Sequence, residues 1–221
     1  MAIEGIDVSK WQGEIDWPAV VSAGKTFCIL RASYGTNPVA EQTLPKKWMP
    51  ATTAGMICGA YHYFLPGNEE SQVPAQAQLF LSQFNEAVPV SQTAYLPAVI
   101  DIEAAADGVD NETYAERIRQ WMEIVESSDR FAGRPTIIYT RQSFWREIGD
   151  PDGFSDHPLW VADYSRKPPR LPSGWNDYAF FQYSDGGSVE GIEGDVDLDE
   201  FNGTLDQLEA MTRPPAEALV S

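Results

Sequence analysis

The segment Leu96–Pro97–Ala98–Val99–Ile100–Asp101–Ile102–Glu103 is an apolar run that ends in two acids separated by one residue. Side chains alternate faces along a strand, so Asp101 and Glu103 point the same way, with Cα atoms roughly 6–7 Å apart. Two carboxylates side by side at the end of a buried strand repel each other and resist desolvation. One therefore holds its proton near neutrality while the other ionises. Such a pair can protonate a leaving oxygen and stabilise an adjacent cation, which is the chemistry of glycoside cleavage. Taken alone, the same two acids can simply cap a strand where it meets solvent, so the surrounding elements must decide.

Short apolar runs recur between helical segments. Ile3–Val8 reads as a first strand, and Asp16 then caps a short helix with Pro18 in its first turn and Gly24 past its end. Further strands are expected over 26–32, Ile57–Tyr63, 98–102, 136–139, Leu159–Ala162, 180–183 and 196–198. Ala77, Phe80, Leu81, Phe84 and Val88 fall at helical spacing after Ser71. Tyr114, Ile118, Trp121, Met122 and Val125 do so within 111–128, and Trp121 is read as core. Strands alternating with helices or long crossovers predict a parallel sheet, and about eight of them predict closure. Too few helices are visible for a regular barrel, so the fold class is an irregular single-domain α/β barrel. In such barrels function gathers at the C-terminal ends of the strands. Asp7, Arg31, His62, Asp101, Glu103, Asp163, Gln182 and Asp197 all sit near one end of a strand. That coincidence favours the catalytic reading of Asp101 and Glu103.

Composition narrows the partners. A net charge of −18 argues against nucleic acid, whose phosphates require clustered Lys and Arg, and against adhesion to an anionic membrane. Neutral glycans meet no such objection. Tyr34, Tyr63, Trp160, Tyr164 and Tyr183 offer ring faces near strand ends, with Trp160 open to either a core or a sugar-stacking role. The two histidines, His62 and His157, form no cluster with metal-ligand spacing and neighbour no nucleophile-elbow motif, so a zinc peptidase or a Ser–His–Asp hydrolase is disfavoured and no cofactor is expected. Cys28 and Cys58 sit in apolar runs as small buried residues, on adjacent strands where a disulfide stays open.

The ordered set of motifs resembles glycoside hydrolase family 25, the Chalaropsis-type lysozymes. It begins with GIDVSKWQG (5–13) and IDW (15–17), and continues through FCILRAS (27–33), GAYHY (59–63) and the Asp101–Ile102–Glu103 pair. IYT (138–140), LWVADY (159–164), FQY (181–183) and VDLDEFNG (196–203) follow, so nearly the whole chain is covered in order. The resemblance implies an N-acetylmuramidase that cuts the β-1,4 bond between N-acetylmuramic acid and N-acetylglucosamine in peptidoglycan. Glu103 would be the general acid/base and Asp101 its partner, either as nucleophile or by steering the substrate acetamido group, with net retention. Asp7 and Asp197 would line the groove with Tyr61. Trp160, Tyr164, Gln182, Tyr63 and Arg31 complete the expected substrate contacts.

Asp195 competes with Asp197, but Leu198 and Phe201–Asn202–Gly203 fix the register on Asp197. Many members carry an acid near residues 39–42, where Glu41 alone offers one. Val99 and Pro97 stand where family 18 chitinases carry alternating acids, which separates the two families. Residues 1–206 are expected to form the catalytic barrel, with a short helix over 204–211 and residues 207–221 as a tail without a wall-binding module. A monomer acting on the cell wall is expected, and no signal peptide is recognised, so phage-type release or another export route would be needed. A non-catalytic glycan-binding barrel, or a hydrolase of another N-acetylhexosamine polymer, is the alternative.

Overall fold

A computed structural model describes residues 2–39, 42–67, 69, 71–105 and 108–214; Glu41 and residues 215–221 lie outside the described residues. Eight strands close into a barrel in chain order: β1 (Ile3–Val8), β2 (Phe27–Tyr34), β3 (Ile57–Tyr63), β4 (Val99–Asp101), β5 (Ile137–Thr140), β6 (Leu159–Ala162), β7 (Phe180–Gly187) and β8 (Val196–Phe201). Six helices accompany them among the described residues: α1 (Trp17–Ser22), α2 (Leu44–Thr53), α3 (Gln72–Ala87), α4 (Asn111–Glu126), α5 (Gln142–Glu147) and α6 (Leu205–Met211). None of the described helices is long and apolar enough to cross a membrane. The first five lie on successive crossovers from β1 to β6. Between β6 and β7 runs the proline-rich loop 167–172 with no helix, which is what makes the barrel irregular.

One strand departs from the expected parallel sheet. β1 through β7 pair in parallel, but β8 is antiparallel to both β7 and β1. The connection from β7 to β8 is too short to carry the chain back across the barrel, so β8 must run the other way. The consequence is chemical. β8 reaches the rim with its N-terminal residues, and Asp197 lies directly opposite Asp7 at the end of β1.

Two-residue alternation sorts the strand side chains away from the irregularities in β2 and β7. Phe27, Ile29, Tyr61, Val99, Ile137, Tyr139, Trp160, Phe180 and Phe201 fill the interior, joined from below by Leu208 of α6. Their sequence neighbours Cys28, Leu30, Ala60, Ile100, Ile138 and Val161 face outward and pack under the helices with Phe80, Phe84, Ile118 and Trp121. The α3 and α4 stripes read from the sequence are the ones buried, and Trp121 is core. Asp16 caps α1 by accepting from the Ala19 N–H, and Asp110 does the same for α4 through Thr113. α2 goes unread in the sequence because Pro45 and Pro50 interrupt it, although Leu44, Lys47, Trp48 and Ala51 repeat at helical spacing and are buried. Cys28 and Cys58 sit opposite each other on β2 and β3 as free thiols, with Sγ atoms 3.4 Å apart.

Gly5 is required by packing. A Cβ there would stand 2.4 Å from the Phe27 ring, which fills the interior beside β1. Gly5→Ala is expected to lower the unfolding free energy in urea by about 1–3 kcal/mol; an unchanged midpoint would show that the interior yields freely.

Candidate active site

The inward positions turn polar where the strands reach the upper rim. Asp7, Arg31, Tyr61, Tyr63, Asp101, Glu103, Trp160, Tyr164, Gln182 and Asp197 line one groove there, so every expected site residue is brought together. Asp101 ends β4, and the chain beyond it stays extended. Ile102 N–H donates to the Tyr139 carbonyl, and the Thr140 hydroxyl donates to the Ile102 carbonyl at 2.8 Å. Those bonds keep Glu103 in the alternation that begins inside the barrel, on the side of Asp101.

Burial governs the acids. It raises Asp101 well above its ordinary range, and the charge of Glu103 raises it further, while Arg31 and Arg141 oppose both effects. Burial also raises Glu103, the more open of the two, and Arg141 pulls it back from 3.7 Å. The pair thus behaves as expected in direction, but desolvation acts at both acids and mutual repulsion is felt chiefly at Asp101. Asp197 is raised by burial to about 6, with Asp185 and Glu103 adding and a hydrogen bond with Asp7 opposing. Asp7 is raised by burial and then by Asp199 and Asp197.

A fixed polar chain holds Asp7. The hydroxyls of Tyr139 and Tyr164 donate to Gln182 Oε1 at 2.7 and 2.6 Å, which orients the amide, and Gln182 Nε2 donates to Asp7 Oδ2 at 2.6 Å. Trp160 forms the floor rather than an open stacking face, since it is buried and donates from Nε1 to Asp199 Oδ1 at 2.8 Å. Tyr63 stacks on Tyr34 at 4.7 Å, and Tyr164 remains 42% exposed, so these two form the walls.

Alternation also removes three residues from the rim. His62 faces outward, fully buried between Ser33, Gln76 and the Trp121 ring, and burial pushes its imidazole down to about 4 despite the Gln76 hydrogen bond. Asp163 faces away from the groove. Burial would raise it, but Arg170 and Ser165 hold it well below the usual carboxylate range. Tyr183 turns outward and donates to Glu4 at 2.6 Å. Asp195 is exposed and offers its backbone carbonyl to Gln12, which leaves Asp197 as the groove acid of that pair.

Several lining residues carry no sequence expectation: Ser9, Trp11, Gln12, Tyr139 and Asp185 in the groove, Arg141 beside Glu103, and Asp199 beneath Asp7. Trp11 is 75% exposed, with Lys10 Nζ 5.0 Å from its ring, and stands at the groove edge. The motif GIDVSKWQG already contained it, and Asp199 continues the alternation Asp195–Asp197. No group of His, Cys, Asp and Glu able to hold a metal ion occurs among the described residues.

This geometry has counterparts. The sequence matches the profile of glycosyl hydrolases family 25 across residues 6–192. It is 36% identical over 220 residues to lysozyme M1 of Streptomyces globisporus, covering 97% of this chain and 72% of that protein. It is 30% identical over 211 residues to N,O-diacetylmuramidase of Chalaropsis sp., covering 88% of this chain and 96% of that one. The bacterial lysozyme structure from Streptomyces coelicolor superposes with a TM-score of 0.85 at 34% identity, covering 96% of this chain and 97% of that one. The chain belongs to glycosyl hydrolases family 25 and is a glycoside hydrolase.

Proposed function

We propose that this enzyme is an N-acetylmuramidase that hydrolyses the β-1,4 bond between N-acetylmuramic acid and N-acetylglucosamine in bacterial peptidoglycan, and so acts on the cell wall. The observation that carries the reading is the meeting of Glu103 and Asp101 with Asp7 and Asp197 in one barrel groove, with the proton of Glu103 favoured by burial. The lysozyme and muramidase relatives support the same substrate class.

In this scheme Glu103 donates its proton to the glycosidic oxygen as the bond to the anomeric carbon breaks. Asp101 steers the acetamido group, whose carbonyl oxygen bonds to the same carbon from the opposite face. Glu103, now a carboxylate, takes a proton from water as that water attacks the carbon and releases the acetamido oxygen, giving net retention. Asp7 and Asp197 place negative potential beside the developing positive charge. Tyr61 and Arg31 brace the acids, Tyr63 and Tyr164 flank the sugar, and Gln182 and Trp160 hold the floor.

Glu103→Gln is expected to lower release of reducing ends from purified peptidoglycan roughly 10²–10⁴-fold. The wild-type products should carry muramic acid at the reducing end by mass spectrometry. Equal release by the two proteins, or N-acetylglucosamine at the new ends, would contradict the assignment.

Arg141 holds the Glu103 value down, so removing it raises that value further. Because the protonated acid is the active form, Arg141→Gln should move the alkaline limb of the pH–rate profile upward, by an amount that solvent screening of the pair keeps small. A downward shift would mean that Arg141 does not act through Glu103.

A further inference from the structure

Asp199 is unassigned by the scheme above, yet it is the most deeply enclosed acid of the group, at 0% exposure. β8 points Asp197, Asp199 and Phe201 inward. In register, Asp199 lies opposite Gly5 on β1 and opposite Gln182 on β7, one inward step below Asp7. Its Oδ1 accepts the Trp160 indole N–H at 2.8 Å. Its Oδ2 is buried and has no N–H or hydroxyl donor among the described residues. In register its carboxyl lies one inward step below that of Asp7, and among the neighbouring charges Asp199 is the one that raises Asp7 most. Asp7 mirrors the arrangement, since its Oδ2 is already occupied by the Gln182 amide.

Two carboxyl groups, each with one oxygen tied to a fixed N–H, can form a hydrogen bond between their remaining oxygens only through a proton. Without it, two negative charges would stand in contact inside the barrel. We propose that Asp199 is a positioning residue that holds the Asp7 carboxyl through one shared proton, so that the pair presents a single negative charge to the sugar-binding groove. The shared proton fixes Asp7 from beneath while Gln182 fixes it from the side. Asp7 then keeps one orientation as positive charge develops above it, with no reorganisation at the moment of reaction. The charged and titratable groups around the pair are Asp197 on β8, Asp101 on β4, and Lys25, which is ion-paired to Glu4. Tyr61 from β3 also faces the pair, and Tyr183 of β7, turned outward to Glu4, feels the charge of Asp199 through the strand. The role of Asp7 in the groove rests on the proposed muramidase reaction, whereas the shared proton rests on the register, burial and occupied oxygens of the two acids and not on the identity of the substrate.

Asparagine separates this role from simple filling of space. In Asp199→Asn the Trp160 N–H selects Oδ1 as its acceptor, which turns Nδ2 towards Asp7 with a donor where the shared proton stood. Asp199→Leu fills the volume without any donor. The leucine variant should lose roughly tenfold to a hundredfold in kcat on peptidoglycan with little change in KM, and the asparagine variant should recover most of that loss. A second arm needs no substrate. An acid whose folded pKa is raised contributes stability below its unfolded value and loses it as pH rises through the folded value. Wild-type Tm should therefore fall with rising pH more steeply than Tm of Asp199→Asn between about pH 5 and pH 8, because the asparagine variant has no proton to surrender. Equal kcat losses for the two folded variants would overturn the positioning role. Equal slopes of Tm against pH for wild type and Asp199→Asn would overturn the shared proton. The Tm result stands whether or not peptidoglycan is the substrate, so failure of the proton pair is distinguishable from failure of the proposed function.

Discussion

In a closed barrel a strand side chain has two destinations, the enclosed interior or the layer beneath the helices, and two-residue alternation allocates them. Every feature of the groove follows from that allocation. Inward positions are aromatic and aliphatic through the middle of the barrel and become Asp7, Arg31, Tyr61, Asp101 and Gln182 at the rim, so one packed interior serves as the floor of a polar site. Outward positions on the same strand ends are His62 and Tyr183, and these are spent on packing and on Glu4. The antiparallel course of β8 adds what a wholly parallel barrel would lack. It brings Asp197 and Asp199 in beside Asp7 from a strand that enters the rim rather than leaves it.

The arrangement has a thermodynamic cost. Asp7, Asp101, Asp197 and Asp199 are all raised by burial, and each resists ionisation more in the folded chain than in the unfolded one. For Asp197, raised to about 6, the stabilising effect of protonation is lost as pH rises through that value. The hydrogen bonds from Gln182 and Trp160 offset part of this cost, and the aromatic layer under α3 and α4 supplies apolar burial independent of pH. The same desolvation that costs stability keeps a proton available on Glu103, so the site chemistry and this cost have one origin.

Much of this was legible in the sequence. Ile3–Val8, Ile57–Tyr63 and Leu159–Ala162 form at the expected bounds, the last two because short apolar runs with polar ends admit little else. Asp7, Asp101, Glu103 and Asp197 could be placed on one rim from strand ends together with the family resemblance. Strand ends alone could not tell His62 and Asp163 from Gln182, because the deciding quantity is parity relative to the interior, and the irregularity in β2 between Arg31 and Ser33 shifts that parity locally. Direction was illegible for β8, whose apolar pattern is the same read either way. Asp199 was hidden for a related reason: an acid in the middle of an inward face contradicts burial until a partner carboxyl and an indole N–H are found around it.

Glu103 keeps its proton above the ordinary glutamic range because the barrel rim desolvates it, and its titration is linked to that of Asp101. Carbon-13 NMR titration of the side-chain carboxyls, assigned with Glu103→Gln and Asp101→Asn, tests it most directly. Glu103 is expected to titrate above the usual value of about 4.3, with a curve that changes when Asp101 is replaced. A simple single-site titration of Glu103 at or below that value, unaltered by Asp101→Asn, would contradict it.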